Sequence, residues 1–264
     1  MENIFKNPKE LVDSLKNEGY VIGERLSVAL YLALAKGKPL FLEGEAGVGK
    51  TEIAKTLASI LKTPLIRLQC YEGLDISQSS YEWNYGKQLF SIQSTDNKNI
   101  DLFSEDFLIE RPLLKALRQK PSERAVLLID ELDRADEAFE AYLLEFLSDW
   151  QITIPEIGSV IAKEPPIVII TSNRTREVHD ALKRRCYYSW VDYPDKDTEL
   201  EILKHRVPQT GPTLQTELVN FVQHLREEEL YKSPGIAETI DWAEALVELN
   251  CVALDPQTID STIG

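Results

Sequence analysis

Long apolar runs are missing from this chain. The longest, residues 28–35, holds eight residues, far short of the ~20 that a helix needs to cross a bilayer. Residues 1–6 carry no apolar core of signal-peptide type, so neither membrane insertion nor a secretory leader is expected. Cysteine is scarce: Cys70, Cys186 and Cys251 are widely spaced and form no Cys-x-x-Cys pair. That excludes a disulfide framework and leads to the expectation of reduced, buried thiols in a cytoplasmic protein. The three histidines, His179, His205 and His224, show no metal-ligand spacing and read as surface or capping residues. Positive charge is in deficit. With 29 Lys and Arg against 44 Asp and Glu, the net charge is −15. Such a chain lacks the basic face that nucleic acid or an anionic membrane requires.

What is present is the composition of a globular protein, 43% hydrophobic and 28% charged. A length of 264 residues suits one to two domains. Asn7-Pro8 reads as an N-cap followed by proline at the first helical position. Leu26, Ala29, Leu30, Ala33 and Leu34 form a helical stripe, with Gly37 as the expected C-terminal cap. Short apolar runs at 39–42, 65–68, 125–129, 167–170 and 187–191 read as strands. Helices are expected at 50–61, 113–118 and 138–150. Residues 152–154 and 160–162 flank a hairpin signal at 156–159. Continuous apolar strands alternating with helices imply α/β architecture, a parallel sheet covered on both faces. Beyond about residue 195 the strands stop. Two helical stripes follow, Leu214, Leu218, Phe221, Val222, Leu225 and Ile236, Ile240, Ala243, Val247. The expected division is an α/β domain over 1–194 and a small all-α domain over 195–264. The acidic run at 227–229 reads as a solvated helix end.

The residues that carry chemistry begin with Gly44-Glu45-Ala46-Gly47-Val48-Gly49-Lys50-Thr51, which fits G-x-x-x-x-G-K-[ST]. In that pattern glycines let backbone N–H groups turn toward phosphate oxygens, and the following helix aims its positive end at the same anion. Lys50 would pair with β- and γ-phosphate oxygens, and the Thr51 hydroxyl would ligate Mg²⁺. The strand ending in Asp130-Glu131 supplies the acidic partner: Asp130 for the metal, Glu131 to orient water. Asn173, after Thr171-Ser172, could bond the γ-phosphate or that water, or simply end a strand in a turn. Lys183-Arg184-Arg185 ends a short helical segment. Its plainer account is cation preference for a helix C-terminus, worth about 0.3–1 kcal/mol. The sharper one is an arginine finger for a neighbouring subunit, worth about 10³–10⁵ in rate.

This order of parts resembles the AAA+ ATPases, and within them the MoxR family. The resemblance rests on residues 130–135, the hairpin before the Asn173 strand, residues 171–177 running into 183–186, Asp192-Tyr193-Pro194, and residues 233–239. The branch it looks most like serves carbon monoxide dehydrogenase maturation. The resemblance implies a five-stranded P-loop NTPase domain with a helical lid and a homo-oligomeric ring, usually hexameric, with ATP and Mg²⁺ between subunits. It implies catalytic roles for Lys50, Glu131, Asn173, Arg185 and Arg184, metal contacts from Thr51 and Asp130, and nucleotide contacts from Val21, Ile22, Gly23, residues 44–51 and Glu52. Its partners would be a von Willebrand factor A domain protein and a target enzyme complex receiving its metal centre. Gly235 stands where relatives often carry a lid arginine, and the chain ends sooner than the family's lid. The segment 81–86 falls where ring ATPases place pore or partner-contacting insertions; aromatic packing is the equal alternative. Two rival functions are an ATP-binding switch or scaffold with negligible hydrolysis, and a nucleic-acid motor, which the acidic charge disfavours.

Overall fold

The computed structural model describes residues 4–94, 100–120, 124–228, 230 and 232–263. The chain opens with two helices, α1 (Pro8–Asn17) and α2 (Glu24–Lys36). Both termini follow the sequence signals. Glu10 N–H donates to the Asn7 side chain at 2.9 Å, and Gly37 caps α2 with φ 62°. Then come β1 (Leu40–Gly44), α3 (Lys50–Leu61), β2 (Leu65–Gln69), α4 (Ile76–Ser79), β3 (Tyr81–Trp83), α5 (Tyr85–Ser94) and β4 (Leu108–Glu110). They are followed by α6 (Pro112–Leu117), β5 (Val126–Asp130), α7 (Glu137–Asp149), the hairpin β6 (Gln151–Ile154) and β7 (Gly158–Ile161), β8 (Ile167–Ser172), α8 (Asp180–Lys183) and β9 (Tyr187–Val191). Four helices close the chain: α9 (Lys196–Arg206), α10 (Pro212–Glu227), α11 (Ile236–Glu248) and α12 (Pro256–Thr262).

The central sheet has five strands in the order β2-β5-β8-β1-β9, and every pairing in it is parallel. Strand alternation sends side chains to two separate cores. Leu40, Leu42, Val126, Leu128, Ile167 and Ile169 pack with α1, α2 and α3. Phe41, Leu127, Ile129, Val168 and Ile170 pack on the other face with α6 and α7. Burial on both faces is why these strands read as unbroken apolar runs. In such a sheet, ligands bind beyond the carboxyl ends of the strands, where strand order switches. Here β1 meets that condition, since the chain leaves it to reach β2 two strands beyond β8.

The C-terminal part is helical and has its own core, Leu203, Val207, Leu214, Leu218, Val219, Val222, Ala243 and Leu246. A buried polar cluster ties it together. Arg226 reaches Glu199 through both Nη atoms at 2.8 Å, and Thr239 donates to the same carboxylate at 2.8 Å.

Several elements depart from the sequence reading. The aromatic stretch 71–101 contains α4, β3 and α5, and β3 pairs antiparallel with the unforeseen β4. Trp83 is buried and stacks edge-on against Phe103, while Tyr85 stands 61% exposed. The segment 81–86 therefore divides: packing for Trp83, open surface for Tyr85. Helices α9 and α12 fall within the expected all-α part but carry no clear apolar stripe of their own. Cys70 is buried, but Cys186 and Cys251 are only partly so. His179 caps α8, its Nδ1 accepting from Ala181 N–H at 3.2 Å. Among the described residues no helix is long and apolar enough to cross a membrane.

Candidate functional site

The loop between β1 and α3 folds around its own lysine. Lys50 is buried, and its Nζ donates to the Gly44 and Glu45 carbonyls at 2.8 and 2.6 Å. Burial pushes its pKa down, opposed by the carboxylates of Asp133, Glu45, Asp130 and Glu131. Gly47 adopts φ 77°, a left-handed conformation that favours glycine. Gly47 is also a docking point: Ala237 N–H, at the start of α11, donates to its carbonyl at 3.1 Å. A Cβ on Gly235 would lie 2.8 Å from the Gly47 Cα, C and O. Gly235 is thus glycine because the helical part seats backbone against backbone on this loop. An arginine there has no room.

Asp130 ends β5 almost fully buried, with every side of its carboxylate engaged. Oδ1 accepts from Thr51 Oγ1 at 3.0 Å and Thr171 Oγ1 at 2.6 Å. Oδ2 accepts from Arg67 Nε at 3.0 Å and Nη2 at 2.6 Å. Thr171 also accepts from Glu131 N–H at 2.9 Å, fixing the turn after β5. Glu131 itself lies at φ 55° and Arg174, after β8, at φ 57°. Of the other described non-glycine residues with positive φ, Lys62 and Trp150 cap helices. Strain stored at strand ends beside a cleft is typical of functional sites. The Glu131 carboxylate meets Asn173 Nδ2 at 3.3 Å, Gln69 Nε2 at 2.9 Å and Arg134 Nε at 2.9 Å.

Asn173 is held from behind. Asp133 accepts from Asn173 N–H at 3.1 Å, Thr175 N–H at 2.9 Å and Thr175 Oγ1 at 2.6 Å. Burial raises the Asp133 pKa, but these donors outweigh it and hold the carboxyl below its usual range. Buried Glu140 pairs with Arg176 and accepts from His179 N–H at 2.7 Å, pinning the same loop to α7.

Two adjoining cavities lie along this edge. One, of about 270 Å³, is lined by the loop residues Ala46, Gly47, Gly49, Lys50, Thr51 and Glu52, with Asp130, Glu131, Thr171, Asn173 and Ala237. The other, of about 190 Å³, lies among Tyr20, Val21, Val48, Glu52, Arg206 and Ile240. Gly47, Gly49, Glu52 and Ala237 border both. Their joint shape, a polar end against a more apolar end, suits a nucleotide. A hydroxyl beside a carboxylate, Thr51 and Asp130, is the hard-oxygen pair that Mg²⁺ takes alongside substrate phosphates.

The expected residues sort accordingly. Lys50, Thr51, Asp130, Glu131 and Asn173 converge on the polar cavity. Val21 lines the apolar one, but Ile22 packs toward the core beneath α2 and Gly23 caps that helix; neither lines either cavity. Glu45 contributes its carbonyl, its side chain being exposed. Glu52 is tied to Arg206 at 2.8 Å and Lys55 at 3.1 Å. Arg184 and Arg185 lie outside both cavities and are exposed. Lys183 is not free: it pairs with buried Glu43 at 2.8 Å. Sequence reasoning missed Arg67, Gln69, Thr171, Asp133, Tyr20 and Arg206. Of these, Asp133 and Thr171 lay inside quoted motifs, and the alternation of β2 placed Arg67 and Gln69 on one face.

An uncharacterized protein of Staphylococcus epidermidis is 28% identical over 223 residues, covering 82% of this chain and 78% of its own. An uncharacterized protein of Staphylococcus haemolyticus is 27% identical over 220 residues, covering 81% and 77%. A mutant RuvB of Thermotoga maritima superposes with a TM-score of 0.53 at 18% identity, over 98% of this chain and 72% of that one. That likeness is one of fold. The family model for the AAA domain (dynein-related subfamily) matches residues 39–186. Its span opens at the strand leading into the phosphate loop and closes just past Arg185, and the chain belongs to that family of AAA domains.

Proposed function

We propose that this chain is a Mg²⁺-dependent ATPase of MoxR type, working in a homo-oligomeric ring to remodel or activate a protein partner. The observation that carries the reading is the convergence of Lys50, Thr51, Asp130, Glu131 and Asn173 on one cavity bordered by the phosphate loop. Residues 195–264 act as the lid, seated on Gly47 through α11.

In this reading the loop N–H groups and Lys50 hold the β- and γ-phosphates, and Lys50 gives up the Gly44 and Glu45 carbonyls to do so. Val21 and the apolar cavity take the adenine. Mg²⁺, when bound, neutralises phosphate charge; Thr51 and Asp130 would hold it. Glu131 accepts a proton from the attacking water once it lets go of Gln69 or Arg134, and Asn173 orients that water. Arg185 of a neighbouring subunit, seconded by Arg184, stabilises charge in the transition state. The family resemblance extends this to a cytoplasmic partner with a von Willebrand factor A domain and to metal-centre insertion in a target enzyme complex, as in carbon monoxide dehydrogenase maturation.

The test is ATP turnover alongside binding of the fluorescent nucleotide mant-ADP. Glu131→Gln is expected to lower turnover by about 10²–10⁴-fold, the range for losing a general base, while binding survives. A second reading, an ATP-binding switch, draws on the fully engaged Glu131 carboxylate. Wild-type turnover that is already negligible and unmoved by Glu131→Gln would establish it over the motor.

A further inference from the structure

Arg67 occupies a place that the nucleotide site needs. It lies on β2, an edge strand of the sheet, with its side chain on the face opposite the core residues Ile66 and Leu68. From there it reaches two residues along the neighbouring strand, past Leu128, to Asp130. Two of its N–H groups close on Asp130 Oδ2. The pair is lopsided in burial: the Asp130 side chain is 3% exposed, the Arg67 side chain 54%. A buried carboxylate left without a cation is costly, and Lys50 is turned away onto the Gly44 and Glu45 carbonyls. Arg67 is the cation that meets this need.

The two sides of Asp130 differ in what they tolerate. Thr51 can donate to Oδ1 and still offer a lone pair to a metal, since a hydroxyl is both donor and acceptor. A guanidinium has no lone pair to give, and its charge repels a divalent cation beside it. On an edge strand, more than half exposed, it can swing into solvent without opening a hole in the core. Arg67 also bonds Gln69, which in turn bonds Glu131, so its departure would be felt at the second carboxylate.

We propose that Arg67 is a built-in counter-cation for Asp130, held in place before Mg²⁺ arrives and displaced by it. This rests on the reading of the cleft as a Mg²⁺-nucleotide site. Arg67 is then a positioning residue with two opposite effects. It favours entry of metal-free nucleotide by adding positive charge near the phosphates, and it opposes the metal by competing for Asp130.

The experiment titrates MgCl₂ into each protein with mant-ADP bound, after measuring mant-ADP affinity in EDTA. Relative to wild type, Arg67→Gln should lower the Mg²⁺ midpoint by about tenfold, the scale of one charge-assisted hydrogen bond to a buried carboxylate. It should also weaken mant-ADP binding in EDTA. Arg67→Lys, which keeps the charge but not the fork, should fall between them. A midpoint that is unchanged or raised in Arg67→Gln would overturn the proposal, as would parallel losses with and without metal, the mark of a merely structural role. Circular dichroism and melting confirm that each variant is folded before titration. Failure of wild type to bind mant-ADP at all would instead refute the nucleotide-site reading beneath it.

Discussion

The carboxyl edge of the sheet and the end of α8 treat their charges in opposite ways. At the edge, each charged group of the site is spoken for. Lys50 rests on two carbonyls, Asp130 on two hydroxyls and a guanidinium, Glu131 on Gln69, Asn173 and Arg134. At the end of α8 only Lys183 is tied down, by Glu43. Arg184 is 81% exposed with one 3.9 Å contact to Asp180, and among the described residues no carboxylate pairs with exposed Arg185. The contrast has a physical basis. A side chain that serves its own chain's site is built into a network, because an unpaired buried charge is costly. The proposed finger arginines, by contrast, are fixed at their root and left open at their tips. Glu43 precedes the phosphate loop by one residue and Lys183 precedes Arg184 by one, so their ion pair roots the open arginines to the strand that carries the loop.

The largest effect is expected from removing the open side alone. Arg185→Ala should lower turnover by about 10³–10⁵-fold, the worth of an arginine finger, with mant-ADP affinity and melting temperature unchanged. Arg184→Ala should cost less. If Arg185→Ala instead behaves as the loss of a helix-end cation, about 0.3–1 kcal/mol of stability and no rate effect, the open side has no catalytic role.

A smaller effect is expected where the built-in side is closed by contact alone. Gly235→Ala puts a methyl 2.8 Å from the Gly47 backbone. Overpacking of this kind costs about 1–3 kcal/mol, which thermal melting would register as a lower midpoint. An unchanged midpoint would mean that the helical part does not seat on the loop.

Much of this was legible in the sequence. The inner strands β1, β5 and β8 stood out because each is buried on both faces, the edge strands β2 and β9 by their short apolar or aromatic runs, and the phosphate loop because its glycines and Lys50 have fixed spacing. Asp130, Glu131 and Asn173 followed from the strands that carry them. The rest was hidden for physical reasons. Arg67 reads as an ordinary outward residue of an edge strand; only the parallel register with β5 brings it to Asp130. Gly235 read as a missing arginine, since a backbone-to-backbone contact leaves no mark in side-chain patterning. Helix α9 hid because its buried positions include Glu199, a charge neutralised by Arg226 from 27 residues away. Ile22 and Gly23 were placed at the nucleotide by resemblance; the structure shows Ile22 packed against the core and Gly23 at the N-terminus of α2.

We propose that a site built in one chain is completed by an arginine from another, and subunit mixing is the decisive test. Glu131→Gln and Arg185→Ala proteins are each expected to be inactive alone. Mixed in equal amounts under assembling conditions, head-to-tail neighbours would pair an intact Glu131 with an intact Arg185 at about a quarter of interfaces, and ATP turnover would return toward that fraction of wild type. A mixture as inactive as its two parents would contradict the account.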